Sequence, residues 1–535
     1  MKILSRKPKV MVLVALFAAN CSLFTSSAAG LSDYEVVPLP QKFIRLDGTP
    51  FILDNKVQIL APVSLQREAE FLQQYIKDVS ALDVSIAQKR IKNIRYIELK
   101  LTSACINKEG YHMSVKQNGV TITGDDAAGV FYGIQTLRKA LSDTRNLSPV
   151  EIADKPRFAW RGMHLDCSRH FFSVDFIKKF IDLLALHNMN TFHWHLTDDQ
   201  GWRIEIKKYP ELTTIGSQRS GTTLGTNSDL DDGIPYGGFY SQQQARDIVK
   251  YAAERHITVV PEIDMPGHML AALACYPELG CTGGPYEVGH YWGVYTDVLC
   301  VANPKVYDFI EGVLTEIMDI FPSEVIHIGG DEAPTDKWDA CPKCSKLPNK
   351  QGYFTKKAFD FITAHHRRVL GWDEILDGAP ADAMIMSWRG TAPGAKAAKL
   401  GHDVVMTPTS HVYFDYQQSK EPEHEPSRCS GFIPVEKVYS LDPAPDSIPA
   451  SARKHILGGQ ANIWTEYLFT EGMVEYQALP RMTALAEVLW TMPEAKDYHY
   501  FVERLTRFTH FYELYHYQYA KHIWPERQLP SRWRF

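Results

Sequence analysis

The sequence predicts an α/β protein in which a (β/α)8 TIM barrel follows a small α+β domain. Three observations support this. The chain has 535 residues, so two or more domains, or one large barrel with an accessory domain, are expected. Residues 31–155 mix short strand-like runs with two helical stretches. From Arg161 onward a strand, a loop and a helix recur in order, which is typical of a barrel of parallel strands.

Residues 1–29 have the pattern of a secretory signal peptide. Basic residues precede the apolar run VMVLVALFAA, and the small residues SSAA follow it. The run is shorter than the roughly 20 residues that a membrane-spanning helix needs, so we predict no transmembrane segment. We expect export to the periplasm or the exterior. Cys21 hints at a lipid anchor, but Asn20 precedes it where a small residue is expected.

Residues 30–155 are predicted to form the accessory domain. Its strand-like runs are PFILDNKVQIL, IRYIELKL, GYHMSV and GVTITG, and its helical stretches are SLQREAEFLQQYIKDV and DAAGVFYGIQTLRKALS. The segment EIADKPRFAWRG is a predicted linker to the next domain.

Residues 156–497 are predicted to form the barrel, and residues 498–535 an aromatic and basic tail that packs on it as a last helix. Helical stretches separate most of the candidate strands. These strands are GMHLDC, NTFHWHL, ITVVPEID, EVIHIGG, RVLGWDE, AMIMSWR, DVVMTP and ILGGQANIW.

Charge argues against a nucleic-acid partner. Removing the signal segment takes away four basic and no acidic residues, which moves the formal net charge from −6 to −10. A surface this acidic disfavours binding to phosphate backbones.

Eight cysteines remain after the signal segment, an even number that an exported protein can pair as disulfides, although the connectivity stays open. The motif CPKC at 341–344 is half of a zinc site, and no second CxxC motif completes it. A loop disulfide or free thiols are therefore favoured over a structural metal. The eight are Cys105, Cys167, Cys275, Cys281, Cys300, Cys341, Cys344 and Cys429.

Polar and aromatic residues follow the candidate strands one after another. Loops at the carboxyl ends of barrel strands build active sites, so this succession predicts one. The residues are Asp166 and Arg169, Asp198 and Asp199, Asp264 and His268, Asp331 and Glu332, Trp372, Asp373 and Glu374, Trp388 and Arg389, Tyr413 and Asp415, and Trp464 and Glu466.

The stretch HIGGDE is the most informative of these endings. Neighbouring side chains on a strand point to opposite faces, so Asp331 and Glu332 share a site only if the backbone turns, which Gly329 and Gly330 permit. Two close carboxylates repel and burial disfavours ionisation, so we expect one of them to stay protonated near neutral pH, as a general acid requires.

His193 and His195 in the stretch HWH raise a rival hypothesis, because a His-x-His pair on one strand face can hold a catalytic zinc, as in metal-dependent amidohydrolases. Four residues of the same stretch follow them, so they lie deeper than the rim. Buried histidines bonded to carboxylates are the favoured interpretation.

Taken in order, these motifs resemble the β-N-acetylhexosaminidases of glycoside hydrolase family 20. The resemblance covers nearly the whole mature chain, including residues 31–155. It rests on LDCSRHFF, HWHLTDDQGWRIEIKKYPEL, PEIDMPGH, HIGGDE, GWDE, SWRG, YFDY and ANIWTEY.

The resemblance implies a metal-free, substrate-assisted mechanism, in which the 2-acetamido oxygen of the sugar attacks its own anomeric carbon. Glu332 would be the general acid and Asp331 would hold the acetamido N–H. The resemblance also implies that Tyr413 donates to the acetamido oxygen and that the methyl group is enclosed by Trp372, Trp388 and Trp464. The sugar hydroxyls would be bound by Arg169, Asp415 and Glu466. Glu332 would be supported by His268 and Asp198.

Three functions are therefore weighed: an exo-β-N-acetylhexosaminidase that releases terminal GlcNAc or GalNAc with retention, a metal-dependent amidohydrolase, and a non-catalytic glycan-binding barrel. The first is preferred, with glycans or chitooligosaccharides as substrates and no cofactor. The sequence leaves open the choice between GlcNAc and GalNAc, the natural glycan and the oligomeric state.

Overall fold

The computed structural model describes residues 32–102, 108–225, 228, 230–421, 425 and 429–524. Within these ranges it confirms the predicted fold, because a closed barrel of eight parallel strands follows a domain built on a seven-stranded sheet. The predicted signal peptide, with Cys21, and the last eleven residues of the predicted tail lie outside the described residues.

The small domain is a mixed sheet with two helices packed on it. Its elements are β1 (Lys42–Arg45), β2 (Phe51–Ile52), β3 (Gln58–Leu60), α1 (Gln66–Ser80), β4 (Ser85–Ala87), β5 (Tyr96–Leu101), β6 (Tyr111–Lys116), β7 (Gly119–Gly124), α2 (Ala127–Ala140), β8 (Asn146–Leu147) and β9 (Val150–Asp154). The sheet order is β1-β9-β6-β7-β5-β3-β4, and β2 pairs with β8. In β6 the side chains of Tyr111, Met113 and Val115 are buried and alternate with more exposed ones, as expected for a strand with one face on a core.

Eight parallel strands close the barrel at the eight predicted positions. They are β10 (Trp160–Asp166), β11 (Thr191–His195), β16 (Thr258–Glu262), β17 (Val325–His327), β18 (Arg368–Trp372), β19 (Met384–Ser387), β20 (Val404–Met406) and β23 (Ile456–Ala461). Asp166 pairs with His195, His195 with Glu262, and Glu262 with His327. These four side chains therefore lie at one level near the carboxyl ends of the strands.

Helices form the outer layer of the barrel and part of its loops. They are α3 (Val174–Leu186), α4 (Glu211–Thr214), α5 (Gln242–Ala253), α6 (Leu270–Cys275), α7 (Pro304–Ile320), α8 (Asp336–Ala340), α9 (Lys350–Ala364), α10 (Thr391–Leu400), α11 (Thr409–Val412), α12 (Val435–Tyr439), α13 (Ala450–Arg453), α14 (Glu471–Ala478), α15 (Arg481–Trp490) and α16 (Tyr498–Leu514). Ser173 caps α3 and Ser241 caps α5 through a side-chain oxygen that accepts a backbone N–H of the first turn, which fixes where each helix begins.

Three short ladders stiffen the long loops above the barrel. They are β12 (Thr197–Asp198) with β13 (Gly201–Trp202), β14 (Gln218–Arg219) with β15 (Tyr236–Gly237), and β21 (Tyr416–Gln417) with β22 (Cys429–Phe432). Across the described ranges, every helix is too short or too polar to cross a bilayer.

The small domain is bound to the barrel through buried polar contacts. Arg161 on β10 donates two hydrogen bonds to the Glu109 carboxylate, with N–O distances of 2.8 and 3.0 Å. The indole N–H of Trp490 donates to Asp154 at the end of β9, at 3.0 Å. Because such charge-assisted bonds are directional, they fix the orientation of the two parts.

The terminal helix α16 is joined to the barrel by a buried ion pair. The two terminal nitrogens of Arg504, Nη1 and Nη2, each donate a hydrogen bond of 2.5 Å to the carboxylate of Glu487 on α15. The side chains of Arg504 and Glu487 are fully buried. The Glu487 carboxylate also accepts the hydroxyl of Tyr439 and the backbone N–H of Leu39. One carboxylate thus connects four segments of the chain.

We expect Glu487→Ala to lower the free energy of unfolding by about 3–5 kcal/mol, because it leaves the Arg504 guanidinium buried without its counter-charge. Chemical denaturation measures this loss. Glu494→Ala, at an exposed glutamate nearby, is the control and should change stability by about 0.5 kcal/mol or less. Equal effects of the two substitutions would contradict a structural role for the pair.

Candidate active site

The structure brings all the predicted site residues to the carboxyl end of the barrel, where each of the eight strands or the loop after it supplies one or two of them. Arg169 follows β10, Asp198 lies in β12 after β11, His268 follows β16, Asp331 and Glu332 follow β17, Trp372 ends β18, Trp388 follows β19, Tyr413 and Asp415 follow β20, and Trp464 and Glu466 follow β23. The roles that the resemblance implies for them stay predictions.

The backbone turns sharply before the carboxylate pair, as the sequence predicts. Gly329 and Gly330 have φ of +65° and +96°. A Cβ at Gly329 would lie 1.7 Å from Oδ1 of Asp264, and the N–H of Gly330 donates to the same oxygen at 3.1 Å. Glu332 itself has φ +43°, a left-handed conformation that is costly for a residue with a side chain and is found mainly at functional sites.

His268 connects Glu332 to two further carboxylates. Its Nε2 lies 3.5 Å from Oε2 of Glu332, and its Nδ1 lies 3.2 Å from Asp198 and 3.1 Å from Asp199. Burial disfavours the imidazolium, but the Asp198 charge and the hydrogen bonds to these carboxylates outweigh it, so the pKa of His268 lies well above its usual value. His268 is therefore a buried cation behind Glu332.

Arg169 is a second buried cation and holds Asp198 from the other side. Its Nη2 lies 2.8 Å from Asp198, its Nη1 3.3 Å from Asp166, and its Nε donates to Gln200 at 3.1 Å. Burial disfavours ionisation of Asp198, but the charges of Arg169 and His268 outweigh it and hold the pKa of Asp198 far below its usual value. Asp198 is thus a permanent anion between two cations.

The two adjacent carboxylates have opposite pKa shifts. Burial, with the nearby charges of Glu262 and Glu332, raises the pKa of Asp331 to about 6 despite His268. The hydrogen bond from His268 lowers the pKa of Glu332. The sequence predicts that one of the pair stays protonated near neutral pH. Asp331 comes nearest to this, with a pKa of about 6, whereas the resemblance assigns the acid role to Glu332. The difference arises because Asp331 is buried, whereas the side chain of Glu332 is 40% exposed and lies closer to His268, whose Nε2 is 3.5 Å from Glu332 and 3.9 Å from Asp331.

Aromatic side chains form one wall of the site. The rings of Trp372 and Trp464 lie 5.8 Å apart, and Trp388 stacks on Tyr413 at 6.2 Å with an interplanar angle of 25°. Trp372 is fully buried, while Trp388 and Trp464 are partly exposed. Trp388 and Trp464 therefore offer an apolar surface at the rim, and the buried Trp372 packs against them.

Glu262 organises the buried layer beneath the site. Its carboxylate lies 3.0 Å from His193, 2.6 Å from His195 and 3.0 Å from His327, and it accepts the indole N–H of Trp372 at 2.8 Å. The prediction that His193 and His195 are buried is confirmed, and His195 is hydrogen-bonded to the carboxylates of Glu262 and Asp198, as predicted. His193 lies 3.0 Å from Glu262 but forms its hydrogen bond with Gln460. The ligand atoms of His193, Glu262 and His327 lie close enough together to hold a metal ion, but all three are fully buried beneath the rim.

Three acids that shape the site have no role predicted from the sequence. Glu262 lies within the stretch PEIDMPGH, which gave it no predicted function. Asp264 lies against the turn, and burial and the Asp331 charge raise its pKa well above its usual value. Glu374 accepts the indole N–H of Trp388 at 2.9 Å, and burial, with the Asp331 charge, raises its pKa to about 8. Only their position at strand ends marked Asp264 and Glu374 in the sequence, and nothing there singled out Glu262.

Two family models match this chain. The model described as glycosyl hydrolase family 20, catalytic domain, matches residues 158–493, and that of glycosyl hydrolase family 20, domain 2, matches residues 33–155. A β-hexosaminidase of Porphyromonas gingivalis is 43% identical over 495 residues, which cover 88% of this chain and 62% of the relative. This chain therefore spans less than two thirds of that protein.

Solved structures match over most of the chain. A family 20 β-N-acetylhexosaminidase from Streptomyces coelicolor A3(2) has a TM-score of 0.81 and 31% identity, covering 94% of this chain and all of the other. A family 20 exo-β-N-acetylglucosaminidase from Vibrio harveyi, solved in complex with N-acetylglucosamine, has the same TM-score and identity and covers 94% of this chain and 81% of the other.

We expect Gly329→Ala to destabilise the protein more than Gly401→Ala. Both glycines have positive φ, but a Cβ added at Gly401, which ends α10, would meet nothing within 4 Å, whereas Gly329 lies against Asp264. The control should lose about 1 kcal/mol from backbone strain alone, and Gly329→Ala should lose that and the cost of displacing Asp264. Urea denaturation of both variants measures the difference, and equal losses would contradict the clash.

Proposed function

This chain belongs to glycosyl hydrolase family 20, and on that basis we propose that it is an exo-β-N-acetylhexosaminidase, which releases terminal non-reducing GlcNAc or GalNAc residues from glycans or chitooligosaccharides. The names of the Porphyromonas and Streptomyces relatives support the activity, and the N-acetylglucosamine bound by the Vibrio enzyme supports the substrate. The observation that carries the proposal is the turn that presents Asp331 and Glu332 side by side at the barrel rim.

In the proposed reaction the two carboxylates act on different atoms of one sugar. Asp331 accepts the acetamido N–H, so the acetamido oxygen is directed at the anomeric carbon. The bond from that carbon to the leaving oxygen breaks as the new carbon–oxygen bond forms, and Glu332 gives its proton to the leaving oxygen. Glu332 then takes a proton from water, which opens the oxazolinium ring at the same carbon. Two inversions give net retention.

Proton supply to Glu332 follows from its surroundings. In the free site its side chain is 40% exposed and lies beside the His268 cation. A bound sugar would cover this carboxylate, and loss of water favours its protonated form. The Nε2 of His268, 3.5 Å from the Glu332 carboxylate, can supply that proton. The proton on Nδ1 stays on the ring, where it faces the carboxylates of Asp198 and Asp199. Asp331 must be ionised at this stage, because it faces the positive charge of the oxazolinium ring.

The remaining side chains suit recognition of one terminal sugar. The tryptophans Trp372, Trp388 and Trp464 would enclose the acetamido methyl group, and Tyr413 would donate to its oxygen. Arg169, with the buried carboxylate of Asp415 and the partly buried carboxylate of Glu466, would bind the ring hydroxyls. Polar groups with fixed donors and acceptors discriminate strongly against sugars that leave them unpaired. The N-terminal signal pattern supports a further part of the proposal, that this enzyme acts in the periplasm or outside the cell.

Glu332→Gln should lower kcat for an aryl β-N-acetylglucosaminide by about 10²–10⁴-fold, because the amide cannot transfer the proton. Glu324→Gln is the matched control, since it changes an exposed glutamate at the other end of β17, and it should keep full activity. The released product distinguishes the alternatives: free sugar supports the proposal, whereas acetate would support the amidohydrolase. Comparable rates on a substrate without the 2-acetamido group would overturn substrate assistance.

The value of kcat/KM should fall as the pH drops through about 6, because the pKa of Asp331 is raised to that value and only its ionised form accepts the acetamido N–H. The slope should approach tenfold per pH unit below the pKa. Asp331→Asn should be slower at every pH and lack this limb. The control Asp382→Asn, at an exposed residue before β19, should keep the wild-type profile, and an unchanged limb in Asp331→Asn would assign it to another group.

A further inference from the structure

Four cysteines converge away from the active site. The Sγ atoms of Cys281 and Cys344 lie 3.9 Å apart, those of Cys300 and Cys341 4.0 Å, and those of Cys300 and Cys344 3.5 Å. All four sulfurs lie within 4.8 Å of one another. Cys300, Cys341 and Cys344 are buried, and Cys281 is partly exposed.

The cluster combines two loops of the barrel. Cys281 and Cys300 belong to the long loop after β16, where an antiparallel bridge pairs Gly280 with Leu299 and so brings their neighbours together. Cys341 and Cys344 form the CPKC motif after α8, in the loop that follows β17. The CPKC motif alone supplies two of the four ligands that a zinc site needs. The fold places Cys281 and Cys300 beside it, which brings four cysteines together.

The distances fit a tetrahedral metal site. Zn²⁺ binds thiolate sulfur at about 2.3 Å, which places the sulfurs of a tetrahedral site with four thiolates about 3.8 Å apart. The measured separations of 3.5, 3.9 and 4.0 Å bracket that value. A disulfide would require about 2.05 Å. The donors are also consistent, because soft thiolates select Zn²⁺ over Mg²⁺ or Ca²⁺.

We propose that Cys281, Cys300, Cys341 and Cys344 bind one Zn²⁺ ion as a structural tetrathiolate site. Four protein ligands complete the coordination sphere and leave no position for water or substrate, so this zinc stabilises the fold and performs no chemistry.

The site would fix the two loops that carry His268 and Glu332. Next to Cys300, Leu299 donates its N–H to Pro266 at 3.0 Å and accepts the indole N–H of Trp338 at 2.8 Å. A Cβ at Gly267 would lie 3.0 Å from the carbonyl oxygen of Asp331. A continuous series of contacts therefore connects the four cysteines to the backbone next to His268 and to the backbone next to Glu332.

Metal analysis and thiol counting of the full-length protein, purified without chelator or reductant, test the proposal directly. We expect about one zinc per chain by inductively coupled plasma mass spectrometry. The four cysteines should react with a thiol reagent only after denaturation in EDTA. Two disulfides in their place would overturn it, since the protein would then lack zinc, show four fewer thiols and have an intact mass lower by four hydrogen atoms. Iron at that stoichiometry would overturn the choice of metal.

Substitutions locate the metal. Cys344→Ser and Cys281→Ser should each lower the zinc content at least fivefold, and exchange of zinc for Co²⁺ in the wild type should give the visible absorption of tetrahedral cobalt thiolate. Cys275→Ser is the matched control, because Cys275 is buried but bonds the backbone carbonyl of Glu211 outside the cluster. It should keep its zinc. Full zinc in Cys344→Ser and Cys281→Ser would place the ion elsewhere, and the wild-type analysis decides the proposal even if a variant fails to fold.

Discussion

The charge balance among buried carboxylates constrains the rest of this site. Asp166, Asp198 and Asp199 are almost completely buried at the barrel rim, where an uncompensated anion is costly. Arg169 and His268 supply compensating positive charges, with Asp198 between them. Burial and the positions of these cations together determine which acids ionise. Glu332, which is partly exposed and 3.5 Å from His268, ionises readily, whereas its buried neighbour Asp331 resists ionisation.

Backbone strain serves the same arrangement. His268 and Glu332 both have positive φ, at +53° and +43°, and each such conformation costs free energy unless the surroundings enforce it. Here the enforcing contacts are the close approach of Gly267 to the Asp331 backbone, the packing of Gly329 on Asp264 and the loop contacts around Leu299. A tetrathiolate zinc behind these loops would strengthen the enforcement, which gives the four cysteines a reason to lie there.

Glu262 has a comparable role from below. Its carboxylate orients His195, whose other nitrogen bonds Asp198, and it also fixes the indole of Trp372. The polar layer inside the barrel thereby positions both the charged residues around Asp198 and the aromatic wall. The proposed substrate-assisted mechanism needs this rigidity, because in it the attacking group belongs to the sugar and the protein contributes chiefly by placing donors, acceptors and apolar faces around it.

The sequence by itself determined the eight barrel strands, the domain order and the residues at the rim, because these depend on local hydrophobic periodicity and on motifs at strand ends. Only the tertiary structure decided three other properties: that Asp331 has the raised pKa, that Glu262 joins four side chains, and that Cys281 and Cys300 complete the CPKC motif. Each depends on residues that are distant in the chain meeting in space. A sequence pattern records spacing along the chain, whereas pKa shifts and metal coordination depend on distances of a few ångströms between side chains.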